Sequence, residues 1–201
     1  MKRILFNVSF LLLSPVFLGM LLADESDAND NASKVSSIIS NASFEEGQDD
    51  NAEDWVFTNT QPPLRSDSDA NTGSYSAYVK LENIGKTPSE AHILKTIDGN
   101  ILSALNYEFT FFVKQIKQGT GGYIQQYLIE WFNEDEQKVE STGFKKFSGK
   151  LGEWKEIVVP DVEMPENVRS VKLLFRFVTG AIEGGSGEVF IDDINFRADD
   201  S

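Results

Sequence analysis

The chain has 201 residues and no cysteine, which excludes a disulfide framework, a thiolate metal site and a cysteine nucleophile. Its formal net charge of −14 disfavours nucleic acid and anionic membrane surfaces as partners, because those are bound through lysine and arginine. The length fits one domain with a leader, and the 15 phenylalanines, 5 tyrosines and 3 tryptophans suit the core of a β-sandwich.

The first residues have the pattern of a signal peptide. Lys2 and Arg3 form a positive n-region, residues 4–22 are apolar with three polar interruptions, and Ser26-Asp27-Ala28 offers small residues to a signal peptidase. The apolar run is nearly long enough to cross a membrane, so an uncleaved anchor is the alternative. We predict that residues 1–28 are a cleaved leader.

A polar segment, residues 29–37, separates this leader from the first strand pattern. The stretch 24–37, which includes it, is rich in aspartate, asparagine and serine, and its few apolar side chains cannot offset the entropy that is lost on ordering. We therefore predict a flexible acidic spacer over 29–37 and a single folded domain over 38–197.

The domain has the alternation of apolar and polar residues that is typical of strands, most clearly in 75–81, 107–113 and 171–177. Glycine-rich turns separate these runs, and no amphipathic helix pattern is found. The pattern predicts roughly nine or ten strands in an all-β fold, a jelly-roll β-sandwich of two antiparallel sheets. Trp55 and Trp154 each follow an acidic turn at the start of a strand, so both are expected mostly in the core.

Four sequence motifs resemble a known family. In chain order they are Asn41-Ala-Ser-Phe-Glu-Glu-Gly47 followed by Trp55, Thr72-Gly-Ser-Tyr-Ser-Ala-Tyr78, Leu151-Gly-Glu-Trp-Lys-Glu-Ile157, and Gly187-Glu-Val-Phe-Ile-Asp-Asp-Ile-Asn-Phe196. Together they resemble the carbohydrate-binding modules of families four, nine and twenty-two, which are galactose-binding-like jelly rolls. The resemblance implies a structural calcium near the junction of the terminal strands. It also implies a sugar cleft on the concave sheet, where aromatic rings stack on sugar rings.

The last strand carries the candidate metal ligand. Asp192 alternates with the apolar residues Phe190, Ile194 and Phe196, so it is expected to share their face, where a carboxylate needs a partner or a metal. Glu45 supplies a second carboxylate, and the backbone carbonyls of Ser43 and Ser74 are weaker candidates. Hard oxygen ligands of this kind select calcium. Spacing alone favours the alternative, in which Asp192 caps backbone amides at the sheet rim, whereas the resemblance favours calcium.

The candidate binding surface consists of residues that alternate with the core set. Sugar recognition needs aromatic faces for C–H groups, and amides and charges for hydroxyls. The residues expected to provide them on one concave sheet are Tyr78, Phe112, Gln126, Glu130, Lys172 and Arg176. The alternative is an ordinary outer face with solvated charges. Both faces of the strand at 123–132 are rich in apolar side chains, so its orientation stays open.

The sequence offers little support for catalysis. His92 is the only histidine, and no nucleophile turn accompanies it. The acidic run Glu134–Glu136 lies in an expected turn, whereas a glycosidase needs two convergent carboxylates. We therefore predict a monomeric, non-enzymatic carbohydrate-binding module that is secreted, periplasmic or part of the cell envelope. The alternatives are a structural or adhesive domain that contacts protein, and a jelly-roll polysaccharide hydrolase or lyase.

Overall fold

A computed structural model describes residues 37–83, 85–98 and 106–199, and all regular structure in these ranges is β. The predicted leader at 1–28 lies outside the described residues, as does the predicted spacer at 29–37 apart from Ser37. A search of the described part for a helix long and apolar enough to cross a membrane found none.

Fourteen strands are described. They are β1 (Gly47–Gln48), β2 (Asn51–Ala52), β3 (Val56–Thr58), β4 (Leu64–Ser66), β5 (Ser76–Glu82), β6 (Glu90–Asp98), β7 (Asn106–Thr120), β8 (Ile124–Phe132), β9 (Lys138–Ser141), β10 (Lys145–Phe147), β11 (Lys150–Leu151), β12 (Trp154–Glu163), β13 (Ser170–Val178) and β14 (Ser186–Ala198).

The strands form two six-stranded sheets and a small β1–β2 pair. The first sheet has the order β10-β8-β13-β6-β3, and β9 also pairs with β8. The second has the order β11-β7-β14-β5-β4, and β12 also pairs with β7. Every pairing between these strands is antiparallel except the short one between β11 and β7. The prediction of an all-β jelly-roll sandwich of two antiparallel sheets is confirmed.

The core lies between the two sheets. The odd-numbered residues of β13 are buried, as their alternation predicts, and so are those of β8, which decides the orientation that the sequence left open. Trp55 is in this core as predicted. Trp154 is not: it pairs with Lys114, and its ring lies 6.4 Å from that of Phe190 on the outer side of the second sheet.

Candidate functional site

The six predicted surface residues do not share a face. Tyr78 and Phe112 belong to β5 and β7 of the second sheet, whereas the other four belong to β8 and β13 of the first. Both groups point away from the core, so they lie on opposite outer sides of the sandwich. The prediction of a single face is wrong because alternation tells which side of its own sheet a residue takes, but not which sheet contains the strand.

The first-sheet face, defined as the outward side chains of β8, β13, β6 and β3, brings the other four residues together. An aliphatic row crosses it from strand to strand, consisting of Leu128, Leu174, Leu94 and Val56. The polar row on one side consists of Gln126, Arg176 and His92. The polar row on the other side consists of Glu130, Lys172 and Thr96. A strip of C–H groups between two hydrogen-bonding rows can hold a ligand that has both kinds of surface.

Arg176 is the central residue of the polar row that contains Gln126 and His92. Its Nη2 donates to Oε1 of Glu90 at 2.6 Å, and its Nη1 lies 3.4 Å from Oε1 of Gln126. The guanidinium also lies 5.2 Å from the ring centre of Phe144, whose side chain is 45% exposed. A cation and an exposed ring therefore stand side by side at this end of the face.

The charge states of this row follow from its contacts. The hydrogen bond from Arg176 holds the pKa of Glu90 below its usual value, so Glu90 is ionised at neutral pH. Burial lowers the pKa of His92, although its Nε2 lies 3.3 Å from a carboxylate oxygen of Glu90. His92 is therefore neutral near pH 7 and can accept as well as donate a hydrogen bond.

The opposite end of the face is built around Lys172. Its Nζ lies 5.0 Å from the ring centre of Phe132, and both residues line a small cleft together with Glu136 of the following turn. Glu130 pairs with Lys138 of β9 at 3.2 Å. The charge of Glu130 is therefore compensated by the neighbouring strand β9.

Sequence reasoning missed Glu90, Phe132 and Phe144 as members of this face. The Glu90–Arg176 pair joins residues 86 positions apart, and only the pairing of β6 with β13 brings them together. Phe144 follows Gly143 outside the strand pattern, and no signal in the sequence marks its position beside Arg176.

The aromatic residues of the second sheet contact one another under a loop. The Tyr78 ring lies 4.9 Å from that of Phe190, and its hydroxyl donates to Glu188 at 2.5 Å. Burial and that hydrogen bond raise the pKa of Tyr78. Asp69 of the covering loop accepts hydrogen bonds from Lys114 at 2.6 Å and from Trp154 Nε1 at 3.2 Å. Tyr78 is thus engaged within the protein rather than presented to a ligand.

No protein-family model and no curated protein matches the chain. Several solved structures do. Carbohydrate-binding modules described as members of the β-sandwich superfamily superpose with a TM-score of 0.58 at 18% identity, over 78% of this chain and 61% of theirs. The module TmCBM61, solved with β-1,4-galactotriose, superposes with a TM-score of 0.53 at 15% identity, over 81% of this chain and 99% of its own. The chain therefore shares its β-sandwich fold with these carbohydrate-binding modules.

An enzyme domain also shares this fold. The enzymatically active domain of tailspike protein 4 from bacteriophage CBA120 superposes with a TM-score of 0.57 at 15% identity, over 80% of this chain. The chain spans only 21% of that protein's length. At such identities the likeness concerns the fold, and the same module architecture therefore occurs inside larger proteins.

The carboxylates predicted to bind metal lie beside a β-bulge. The register of β14 shifts between Asp192 and Asn195, and Asp193 has a φ of 47°. Phe190 accordingly pairs with Tyr78 on the outer side, whereas Phe196 lies in the core. The prediction that Asp192 shares one face with both rings is wrong, because the extra residue of a bulge reverses the alternation.

Asp192 is fully buried and caps backbone amides. Its Oδ2 accepts from the N–H groups of Asn71 at 2.7 Å and Thr72 at 3.2 Å, and its Oδ1 accepts from the N–H of Asp193 at 2.7 Å. Burial, and next the charge of Asp193, raise the pKa of Asp192 to about 7, against the lowering effect of these amides. Ser43 donates its hydroxyl to Asp193 at 2.6 Å.

Glu45 caps the second half of the loop at 71–75, whose first half is capped by Asp192. Its Oε1 accepts from the N–H groups of Ser74 and Tyr75, both at 2.9 Å. Gly73 between the two capped pairs has a φ of 64°, and a Cβ there would meet Oε1 of Glu45 at 2.3 Å. A larger residue at position 73 would therefore be strained by this φ and would have to displace the Glu45 carboxylate.

These contacts do not fit a calcium ion. Four amide N–H groups of one loop point towards Glu45 and Asp192, and the positive ends of those dipoles suit anionic oxygens rather than a cation. The guanidinium of Arg65 donates hydrogen bonds to the backbone carbonyls of Phe44 and Glu45, both at 2.7 Å. Within the ranges that the structure describes, no group of three or more His, Cys, Asp or Glu side chains could hold a metal. The calcium prediction can be tested by comparing the melting temperature in EDTA and in calcium.

Proposed function

We propose that this chain is an exported, non-catalytic module that binds poly- or oligosaccharide on the first-sheet face. The observation that carries the proposal is the group formed by Arg176, Glu90 and Phe144. It places a charge-paired guanidinium, a carboxylate and a partly exposed ring beside an aliphatic strip. Sugars present hydroxyls at their rims and C–H groups on their faces, and this arrangement offers partners for both.

The charges of the face favour a neutral sugar. Arg176 pairs with Glu90, and Glu130 pairs with Lys138, so a bound ligand meets two ion pairs in which the charges are balanced. Hydrogen bonds to charged groups are the strong ones, so Arg176 and Glu90 are expected to select the hydroxyl pattern. The aliphatic row and the Phe144 ring are expected to contact the C–H faces.

The spacing of the carboxylates supports a non-catalytic role. Glu130 lies opposite Lys172 and Glu90 lies opposite Val178, six residues further along the same strand. At the strand rise this separation is roughly 20 Å. Glycosidases need their two carboxyl groups about 5 to 10 Å apart.

The test is sugar binding by an Arg176→Ala variant. A glycan array first identifies a ligand of the full chain, and isothermal titration then compares the variant with the wild type. Because the variant loses a charged hydrogen-bonding group and removes the guanidinium partner of Glu90, we expect affinity to fall at least tenfold, about 1.5 to 3 kcal/mol.

The matched control is Arg197→Ala. Arg197 pairs with Glu108 on the second sheet, and the exposures of that pair, 31% and 25%, are close to the 28% and 26% of Arg176 and Glu90. We expect this variant to lose similar stability but no affinity. Equal affinity of both variants would contradict the proposed face. An array without any bound glycan would favour the adhesive or structural alternative.

Export is a separate part of the proposal. The n-region, apolar run and small-residue end of 1–28 support cleavage before Asn29. We expect N-terminal sequencing of secreted protein to begin near Asn29. A membrane-bound product that retains Met1 would instead support an uncleaved anchor.

A further inference from the structure

A cleft of about 560 Å³ opens at the edge of the sandwich where the chain crosses from β10 to β11. Gln125 of the first sheet, Gln115 of the second and Phe147 of β10 line it, and all three are buried. The volume is within the range of about 300 to 1,000 Å³ that is typical of small-molecule sites. Gln125 is on the inner side of β8, so the cleft is distinct from the first-sheet face.

Gln125 is the first sign of a ligand. It is 5% exposed, and its Oε1 has no hydrogen-bond partner among the described residues. Its cross-strand neighbours are Phe147 and Phe177, both in the core, where an apolar side chain would pack without an unpaired acceptor. Native cores rarely leave such an acceptor uncompensated.

Tyr123 lines the same cleft and supplies the second sign. Its hydroxyl is buried and has no partner within the described part of the chain, and burial raises the pKa of Tyr123, so the group is neutral. Its ring lies against Gly119 and Gly187, where a Cβ would approach ring atoms to 2.5 and 2.3 Å. The ring therefore occupies space that is available because these two residues have no side chain.

The charges around the cleft define the ligand further. None of the described residues that line it is acidic, although the chain has a net charge of −14. Lys146 and Lys150 line it, and Lys150 is compensated by Glu153 at 2.6 Å. A cationic ligand is therefore disfavoured. Gln125 Oε1 can only accept, so the ligand must donate a hydrogen bond.

We infer that this cleft is a second binding site, for a small, hydroxyl-bearing molecule that is not cationic, such as a free monosaccharide. A hydroxyl of the ligand donates to Gln125 Oε1, and the Phe147 ring contacts its C–H groups. The inference rests on the cleft and does not depend on sugar binding at the first-sheet face.

The test follows the side-chain amide signals of Gln125 by NMR in the ¹⁵N-labelled full chain, titrated with galactose, xylose and glucose in turn. The signals are assigned by their absence from a Gln125→Met variant. We expect them to shift and saturate with at least one sugar. In Gln125→Met, the affinity measured from the backbone signals around Phe147 should fall at least tenfold.

The matched control is Gln126→Met. Gln126 follows Gln125 in the chain, but it points to the opposite face and contacts Arg176. This control should keep the cleft affinity. Tyr123→Phe, which removes one hydroxyl, provides a second variant if Gln125→Met does not fold, and it should also weaken binding. Gln125 signals that do not move with any of the three sugars would overturn the inference, as would a shift that Gln126→Met abolishes. Binding in the cleft with none at Arg176 would instead refute only the proposed function.

Discussion

Replacing Phe111 with alanine is expected to lower the free energy of unfolding by about 3 to 5 kcal/mol. Phe111 is fully buried, and its ring centre lies 4.9 Å from that of Phe175, 5.0 Å from Phe147 and 5.3 Å from Phe109. The change removes apolar contacts between the sheets and leaves a cavity. Such a loss is a large part of the total of about 5 to 15 kcal/mol for a domain. Urea denaturation followed by tryptophan fluorescence measures it.

Phe144→Ala is the matched control for Phe111→Ala, since the same atoms are removed from a ring that is 45% exposed. We expect a loss below about 1 kcal/mol, which includes its contact with Arg176. Comparable losses for the two variants would contradict the assignment of Phe111 to the core. A reduced sugar affinity of Phe144→Ala without a stability loss would support the proposed face.

Asp192 is expected to make stability fall as the pH rises from about 4 to about 7. The pKa of this group is raised to about 7 in the folded protein, against 3.8 for the free side chain. The stabilisation is complete below pH 4, where both states are protonated, and it is lost as the pH rises through 7 because the unfolded chain releases its proton first. The shift corresponds to about 4 kcal/mol at most.

The contribution of Asp192 is measured as the difference between the wild type and Asp192→Asn in urea denaturation at several pH values. The difference is needed because His92, whose pKa is lowered by burial, titrates in the same window with the opposite sign. Asparagine cannot ionise, so the variant should lack the component due to Asp192. Parallel stability curves for the two proteins would contradict the raised pKa.

Thermal melting distinguishes amide capping from calcium binding. Since the N–H groups of Asn71, Thr72, Ser74 and Tyr75 already engage Glu45 and Asp192, we expect the melting temperature to be the same in EDTA and in calcium. A bound calcium would instead add about 2.7 kcal/mol at a hundredfold excess over Kd. It would also keep Asp192 ionised. A melting temperature several degrees lower in EDTA would establish calcium at this site.

The fold and the candidate site differ in how far the sequence predicts them. Alternation in 171–177 and 75–81 identified core strands, because the apolar residues of a strand with one buried side recur at every second position. The same alternation placed Arg176 and Gln126 on an outer surface. The core position of Trp154 was predicted from the acidic turn before it, and that prediction failed because its ring is held on the outer side of the second sheet by Phe190 and Asp69.

By itself, the sequence determined the all-β architecture and the inner and outer side of most strands, since both follow from a period of two within one strand. Only the tertiary structure decided that Tyr78 and Arg176 lie on opposite sides of the sandwich, because the assignment of strands to sheets depends on pairings between distant segments. It also decided the surroundings of Asp192. The bulge at Asp193 changes the direction of its neighbours, and the amides that Asp192 caps come from a loop some 120 residues earlier in the chain.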